Sequence, residues 1–159
     1  MEEAEMKVAK IRNGTVIDHI PSGKALVVLR LLGLTGKVEN TLTIAMNVKS
    51  KKLGIKDIIK VENLELDPSL LGSLALIAPM ATINVIRDYR VYGKSKVILK
   101  DYVEGILKCP NPTCISRQQN EPIVSKFKVI QKTPLKLQCT YCYRYVNENE
   151  VIEQLVEGK

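Results

Sequence analysis

The first hundred residues alternate between β-branched runs and apolar stretches of helical period. Residues 6–11 (MKVAKI) and 15–20 (TVIDHI) predict two strands around the turn signal Asn13-Gly14. Residues 24–32 (KALVVLRLL) predict a helix, with Ser22 as its N-cap and Gly33 as its stop. Leu42, Ile44 and Met46 alternate with Thr41, Thr43 and Ala45, and 58–61 (IIKV) is a second β-branched run. Both predict strands. Asp67-Pro68 starts another helix, because aspartate caps and proline suits the first helical position. That helix runs to Leu76 or Ile77 and stops before Pro79. Residues 82–88 and 89–96 predict two strands with a sharp change at Asp88. The order is roughly ββαββαββ. It predicts an α+β, ferredoxin-like layer pair: a mostly antiparallel sheet with two helices on one face.

Past residue 100 the pattern turns β-rich. Residues 123–130 alternate, and 135–138 (LKLQ) lead directly into Cys139. Val151, Ile152, Leu155 and Val156 then fall at helical spacing within 148–157.

Composition narrows the class. Of 159 residues 45% are hydrophobic and 26% charged, which excludes a disordered or collagenous chain. No run approaches the ~18 apolar residues of a membrane span. The start, MEEAEMKVAK, lacks the apolar stretch of a secretory signal. The expectation is a cytoplasmic protein without a membrane partner.

Charge and cysteine then divide the chain. Residues 1–100 hold 16 Lys+Arg and 10 Asp+Glu, a net of +6; residues 101–159 hold 8 and 7, a net of +1. The excess predicts an anionic partner for the first part. All four cysteines, Cys109, Cys114, Cys139 and Cys142, lie in the second. The expected domains are therefore 1–100 and 101–159.

The cysteines follow a C-x4-C, 24-residue gap, C-x2-C spacing. Two such knuckles can supply four thiolates to a tetrahedral ion. Pro110, Asn111, Pro112 and Thr113 are the turn formers the first knuckle needs. The chain's only histidine, His19, is far away in sequence, so the four cysteines form the complete ligand set. With no open position for water, the site reads as structural Zn2+. Iron would suit the same thiolates, and a redox dithiol using Cys139 and Cys142 is the alternative use. About 55 residues need such a staple to stand as a domain. The second domain is thus expected to be a small all-β zinc-ribbon or rubredoxin-like unit.

Lys49, Lys51, Lys52, Lys56 and Lys60 crowd one stretch, with Lys94 and Lys96 on a later strand. A solvated face and a phosphate-binding face both fit. Neither GxxxxGK[ST] nor GxGxxG occurs, so neither common NTP-binding loop is present; a nucleotide could instead lie on the sheet, held by lysines and backbone amides. A zinc-ribbon nucleic-acid-binding protein of transcription or translation is the rival reading. It is weakened because Tyr141, Tyr143 and Tyr145 sit in the half with little charge. Catalysis has little support, since any nucleophile–base pair would have to use His19.

Several segments together resemble one family, the regulatory chain of aspartate carbamoyltransferase. They are GTVIDHIP (14–21), LTIAMNV (42–48), GIKDIIKVEN (54–63), LALIAPMATINVIRDYRVYGKS (74–95), CPNPTCIS (109–116) and the CxxC at 139–142. The resemblance implies a non-catalytic subunit of pyrimidine biosynthesis that binds ATP, CTP or UTP and reports to a catalytic chain. It implies pairing of regulatory chains through their first domains, docking of the zinc domain on the catalytic chain, and no nucleic-acid partner. Carried onto this sequence, the effector site would comprise Val8, Ile11, Val16, Asp18, His19, Lys60, Asn84, Ile86, Tyr89, Val91 and Lys94.

Overall fold

In the computed structural model, residues 10–120 and 122–156 are described. The chain forms two compact units, Met1–Ile98 and Leu99–Lys159. Of the strand expected over 6–11, residues 6–9 lie outside the described residues, and Lys10 and Ile11 are not in a strand.

The first unit holds strands β1 (Gly14–Pro21), β2 (Leu42–Ser50), β3 (Gly54–Glu62), β4 (Thr82–Arg87) and β5 (Arg90–Lys96). Helix α1 (Ala25–Leu31) follows β1, and α2 (Leu71–Ile77) follows β3. The sheet order is β2-β3-β1-β4-β5, with every neighbouring pair antiparallel. This is the expected ferredoxin-like arrangement, with β5 added at one edge. The two helices pack on each other, and α1 also packs against β3. Ile17, Ile59, Val61 and Ile83 of the sheet are buried, as are Val28, Leu29, Leu74 and Ile77 of the helices. Strand period places Val16, Lys60 and Asn84 on the opposite face, where they are half-buried.

Local chemistry explains most element ends. Asp67 accepts a hydrogen bond from the Ser69 amide at 2.9 Å, and Pro68 opens a 3-10 turn that runs into α2. After α1, Gly33 takes φ +73°, with Gly33 N donating to Arg30 O at 3.1 Å and Leu34 N to Leu29 O at 2.9 Å. These two bonds make a Schellman stop. Asp88 and Tyr89 both have positive φ, the type I′ geometry that suits a two-residue hairpin.

The start of α1 corrects the expectation. Ser22 does not cap it; the Ser22 hydroxyl instead donates to Asn47 Oδ1. The cap is the Asp57 carboxylate of β3, whose Oδ2 accepts from Gly23 N at 2.9 Å and Ala25 N at 3.1 Å. A residue over thirty positions away serves the role, so no local pattern could reveal it.

The second unit is a four-stranded sheet in the order β6-β7-β8-β9, formed by Tyr102–Glu104, Lys126–Lys132, Leu135–Cys139 and Tyr145–Asn147. The strand expected from residue 123 begins only at Lys126. Helix α3 (Glu148–Val156) closes the unit. Its start is a capping box: Asn147 Oδ1 accepts from Glu150 N at 2.9 Å, and Glu150 Oε1 accepts from Asn147 N at 3.3 Å. Phe127, Leu137, Val146 and Val151 form its core.

Candidate functional site

The face of the first sheet opposite α1 and α2, free of helix among the described residues, carries one continuous rung. Thr43 opposes Lys60, Lys60 opposes Val16, Val16 opposes Asn84, and Asn84 opposes Lys94. Five strands thus contribute five directly opposed residues, and two lysines bracket an amide side chain. The pairs Asp18 with Thr82 and Ile86 with Val91 lie on either side of this rung. Val91 also lines a cleft of about 670 Å³ beside the β4–β5 hairpin, and the neighbouring Tyr89 sits in the hairpin turn. Of the other expected residues, Val8 lies outside the described residues. Ile11 is buried and precedes β1 outside any strand.

One end of the face is electrostatically tuned. Asp18 Oδ1 accepts from the His19 amide at 2.8 Å and pairs with Lys56 Nζ at 2.8 Å. His19 Nδ1 lies 3.2 Å from Thr82 Oγ1, and its backbone is left-handed at φ +75°. Burial lowers the His19 pKa below its ordinary 6.5; Asp18 opposes the shift, while Lys56, Lys52 and Lys94 add to it. The Lys60 pKa is also lowered, by burial first, against the pull of Asp18. Cations that depress a histidine and lie partly out of water favour a bound anion.

Lys56 and Thr82 belong to this cluster, although the resemblance did not supply them. The signal for Lys56 was legible: it lies four positions from Lys60, and an even spacing on a strand puts both on one face.

The second candidate is the thiol cluster. The Sγ atoms of Cys109, Cys114, Cys139 and Cys142 all lie within 4.8 Å of one another. Cys109 is 3.5 Å from Cys142, and Cys114 is 3.7 Å from Cys139, so the close contacts join one knuckle to the other. Tetrahedral Zn–S bonds of about 2.3 Å place sulfurs about 3.8 Å apart, so the donor set fits zinc. Amides converge on the sulfurs: Asn111 N on Cys109, Tyr141 N and Cys142 N on Cys139, and Arg144 N on Cys142. Tyr143 takes φ +65° to make the second knuckle turn.

Four thiols this close cannot all ionise without a cation. Burial pushes Cys109 up to about 12 and raises Cys139 as well. At Cys142 burial also acts upward, but the Arg144 amide and the Asn111 side chain outweigh it and bring the thiol to about 7. A divalent ion inverts this balance and holds all four as thiolates.

Comparison with known proteins assigns each part of the chain to a domain family. Residues 6–98 match the family described as "Aspartate carbamoyltransferase regulatory chain, allosteric domain". Residues 101–152 match "Aspartate carbamoyltransferase regulatory chain, metal binding domain". A protein of Ignicoccus hospitalis named aspartate carbamoyltransferase regulatory chain is 59% identical over 148 residues, covering 92% of this chain and 94% of its own. Its namesake in Hyperthermus butylicus is 54% identical over 151 residues, covering 95% and 94%. That of Pyrococcus furiosus is 51% identical over 154 residues, covering 96% and 99%. Two adjoining domain matches and this identity over nearly the whole length place the chain in the aspartate carbamoyltransferase regulatory chain family, whose members are non-catalytic subunits of the holoenzyme.

Proposed function

We propose that this chain binds effector nucleotides such as ATP, CTP and UTP on the helix-free sheet face and passes the signal to the catalytic chain. The observation that carries the reading is the rung Lys60–Val16–Asn84–Lys94. Lys60 and Lys94 are placed for phosphate and ribose oxygens, and Asn84 can read a base edge. Asp18 can accept from sugar or amine groups, with His19 and Lys56 beside it. Ile86, Val91 and Tyr89 supply apolar and aromatic surface for the base, with Val16 as the floor. Residues 1–100 would be the effector domain, with Val8 and Ile11 along the same site. Residues 101–159 would be the structural zinc domain that docks on the catalytic chain. There Cys109, Cys114, Cys139 and Cys142 would hold one Zn2+, which supplies a rigid tetrahedral crosslink and no reaction step.

Transmission needs differential affinity. A nucleotide shifts the holoenzyme only as far as it binds one state more tightly, typically ~1–3 kcal/mol of coupling. Pairing of regulatory chains through the first domains is part of the proposal. The edge strand β2 presents half-exposed Ile44 and Met46 in support of it.

Titration calorimetry with ATP and CTP tests the reading. Lys60→Ala is expected to weaken nucleotide binding roughly 10–100-fold, the equivalent of the ~1.5–3 kcal/mol of a hydrogen bond to a charged group. Lys94→Ala should act in the same direction. Wild-type protein that takes up neither nucleotide would overturn the proposal.

A pH dependence follows from His19. Its folded pKa lies below the unfolded 6.5, so the unfolded chain binds more protons near that pH. Stability of the free chain should therefore decline as pH falls through the folded value. A bound phosphate reverses the sign by favouring the imidazolium. Nucleotide affinity is then expected to rise as pH drops from 7.5 to 5.5, with net proton uptake. Calorimetry in two buffers of different ionisation heat reads that uptake, and a flat profile would exclude His19 from the phosphate end.

A further inference from the structure

Asp57 is fully buried on the face opposite the rung, and among the described residues it is the one carboxylate so placed. A desolvated carboxylate persists only when its lone pairs are filled. Here three backbone amides fill them. Oδ2 accepts from Gly23 N and Ala25 N, and Oδ1 accepts from Asn47 N at 3.0 Å.

The two strands flanking β3 both break register beside this residue. On β1, Ile17 opposes Ile59 and Ile20 opposes Asp57, so Asp18 and His19 share the space opposite Ile58. On β2, Ala45 opposes Ile58 and Val48 opposes Lys56, so Met46 and Asn47 bulge opposite Asp57. Each bulge contains a left-handed residue, His19 at φ +75° and Asn47 at φ +60°. Asparagine and histidine enter that region more readily than other residues with a Cβ, and the Asp57 carboxylate holds the bulged Asn47 amide directly. Ser22 adds a second tie, from the β1–α1 connection to the Asn47 side chain.

We infer that Asp57 is the positioning residue of the effector face. Its two oxygens hold the β1–α1 connection and the β2 bulge to β3. That clamp fixes the β1 bulge, which sets where Asp18 and His19 stand against Lys56. A nucleotide that moves Asp18, His19 or Lys56 therefore pulls on α1 and β2 through one buried carboxylate. The inference rests on the effector reading above and deepens it by naming how the face is held.

Asp57→Asn keeps the shape and reverses the hydrogen-bond polarity of one edge, setting an amide NH2 against backbone N–H donors. The test uses the full chain assembled with its catalytic chain. Asp57→Asn is compared with Val28→Ala, a core variant chosen for a similar loss of thermal stability. Expected results are at least a 10-fold loss of ATP and CTP affinity in Asp57→Asn, near-wild-type affinity in Val28→Ala, and full zinc content in both.

Histidine-selective labelling of this chain supplies a readout that general destabilisation would not move. The one histidine, His19, should shift in Asp57→Asn and stay in place in Val28→Ala. Wild-type protein adds a measurement independent of any variant's folding. The amides of Gly23, Ala25 and Asn47 should gain hydrogen-exchange protection together when ATP binds. If Asp57→Asn binds nucleotide like wild type, or no worse than Val28→Ala, the assignment is wrong. Unchanged exchange of the three amides under saturating ATP would also sink it. Absence of nucleotide binding by wild type removes the effector reading itself, and this inference with it.

Discussion

Cys114→Ser is expected to unfold the second unit and abolish association with the catalytic chain. Cys114 is buried, its Sγ lies 3.7 Å from Cys139 Sγ, and it begins the 3-10 turn Ile115–Arg117. Serine offers a hydroxyl that stays protonated, so one of four ligands is lost. Structural zinc contributes ~10–16 kcal/mol of apparent binding free energy in small zinc domains, which is folding free energy there. A whole domain is stable by only ~5–15 kcal/mol. Losing a large part of the first figure therefore exceeds what the Phe127–Leu137–Val146–Val151 core can hold alone. Stripping the metal with a chelator should have the same effect. Circular dichroism with and without one equivalent of zinc reads the folding, and native electrophoresis with the catalytic chain reads the association. A metal-free variant that stays folded and still assembles would refute the structural role.

The chain's charge reads differently once the metal is counted. The formal net charge is +7, with +6 in residues 1–100 and +1 in 101–159. Four thiolates and one Zn2+ change it by −4 + 2 = −2, leaving about +5 overall and about −1 for the second part. The basic character then belongs to the unit that carries Lys52, Lys56, Lys60 and Lys94. An anion of nucleotide size suits that confined patch better than a polymer does.

What was legible in the sequence and what was not divides along physical lines. Elements set by local chemistry could be read: the Asp67-Pro68 start, the Gly33 stop, the alternation of β2, and the apolar spacing of α3. The thiol cluster could be read because cysteine spacing alone encodes knuckles. Three features could not. Ser22 loses its capping role to Asp57, a partner brought in only by the pairing of β1 with β3. The left-handed bulges at His19 and Asn47 carry no glycine to announce them. The face of Lys56 could be read from its spacing to Lys60, but its 2.8 Å pairing with Asp18 depends on how β1 is set against β3. Each miss involves a residue whose role is fixed by the strand beside it rather than by its neighbours in the chain.

Gly14→Ala is expected to be the most damaging single substitution in the first unit. Gly14 opens the central strand β1, opposing Glu62 on one side and Ile86 on the other. Its φ is +144°, a region L side chains rarely adopt, and a Cβ there would lie 2.1 Å from Val61 O and 2.9 Å from Glu62 Cα. Those obstacles are backbone atoms of β3, and no rotamer change relieves them. Strain of ~1–3 kcal/mol for the forbidden conformation adds to ~1–3 kcal/mol for forced overlap, roughly 2–6 kcal/mol together. Gly23→Ala is the matched control. Gly23 also has positive φ, +91°, but a Cβ there meets nothing within 4 Å. It should show only the conformational part, about 1–2 kcal/mol. Urea unfolding of the two variants separates the contributions, with Gly14→Ala shifted at least twice as far. Nucleotide affinity should fall with Gly14→Ala as well, because the displaced strand carries Val16 and Asp18. Equal midpoints for the two variants would mean that β1 relaxes away from β3, and that the close approach at Val61 does not hold the rung in place.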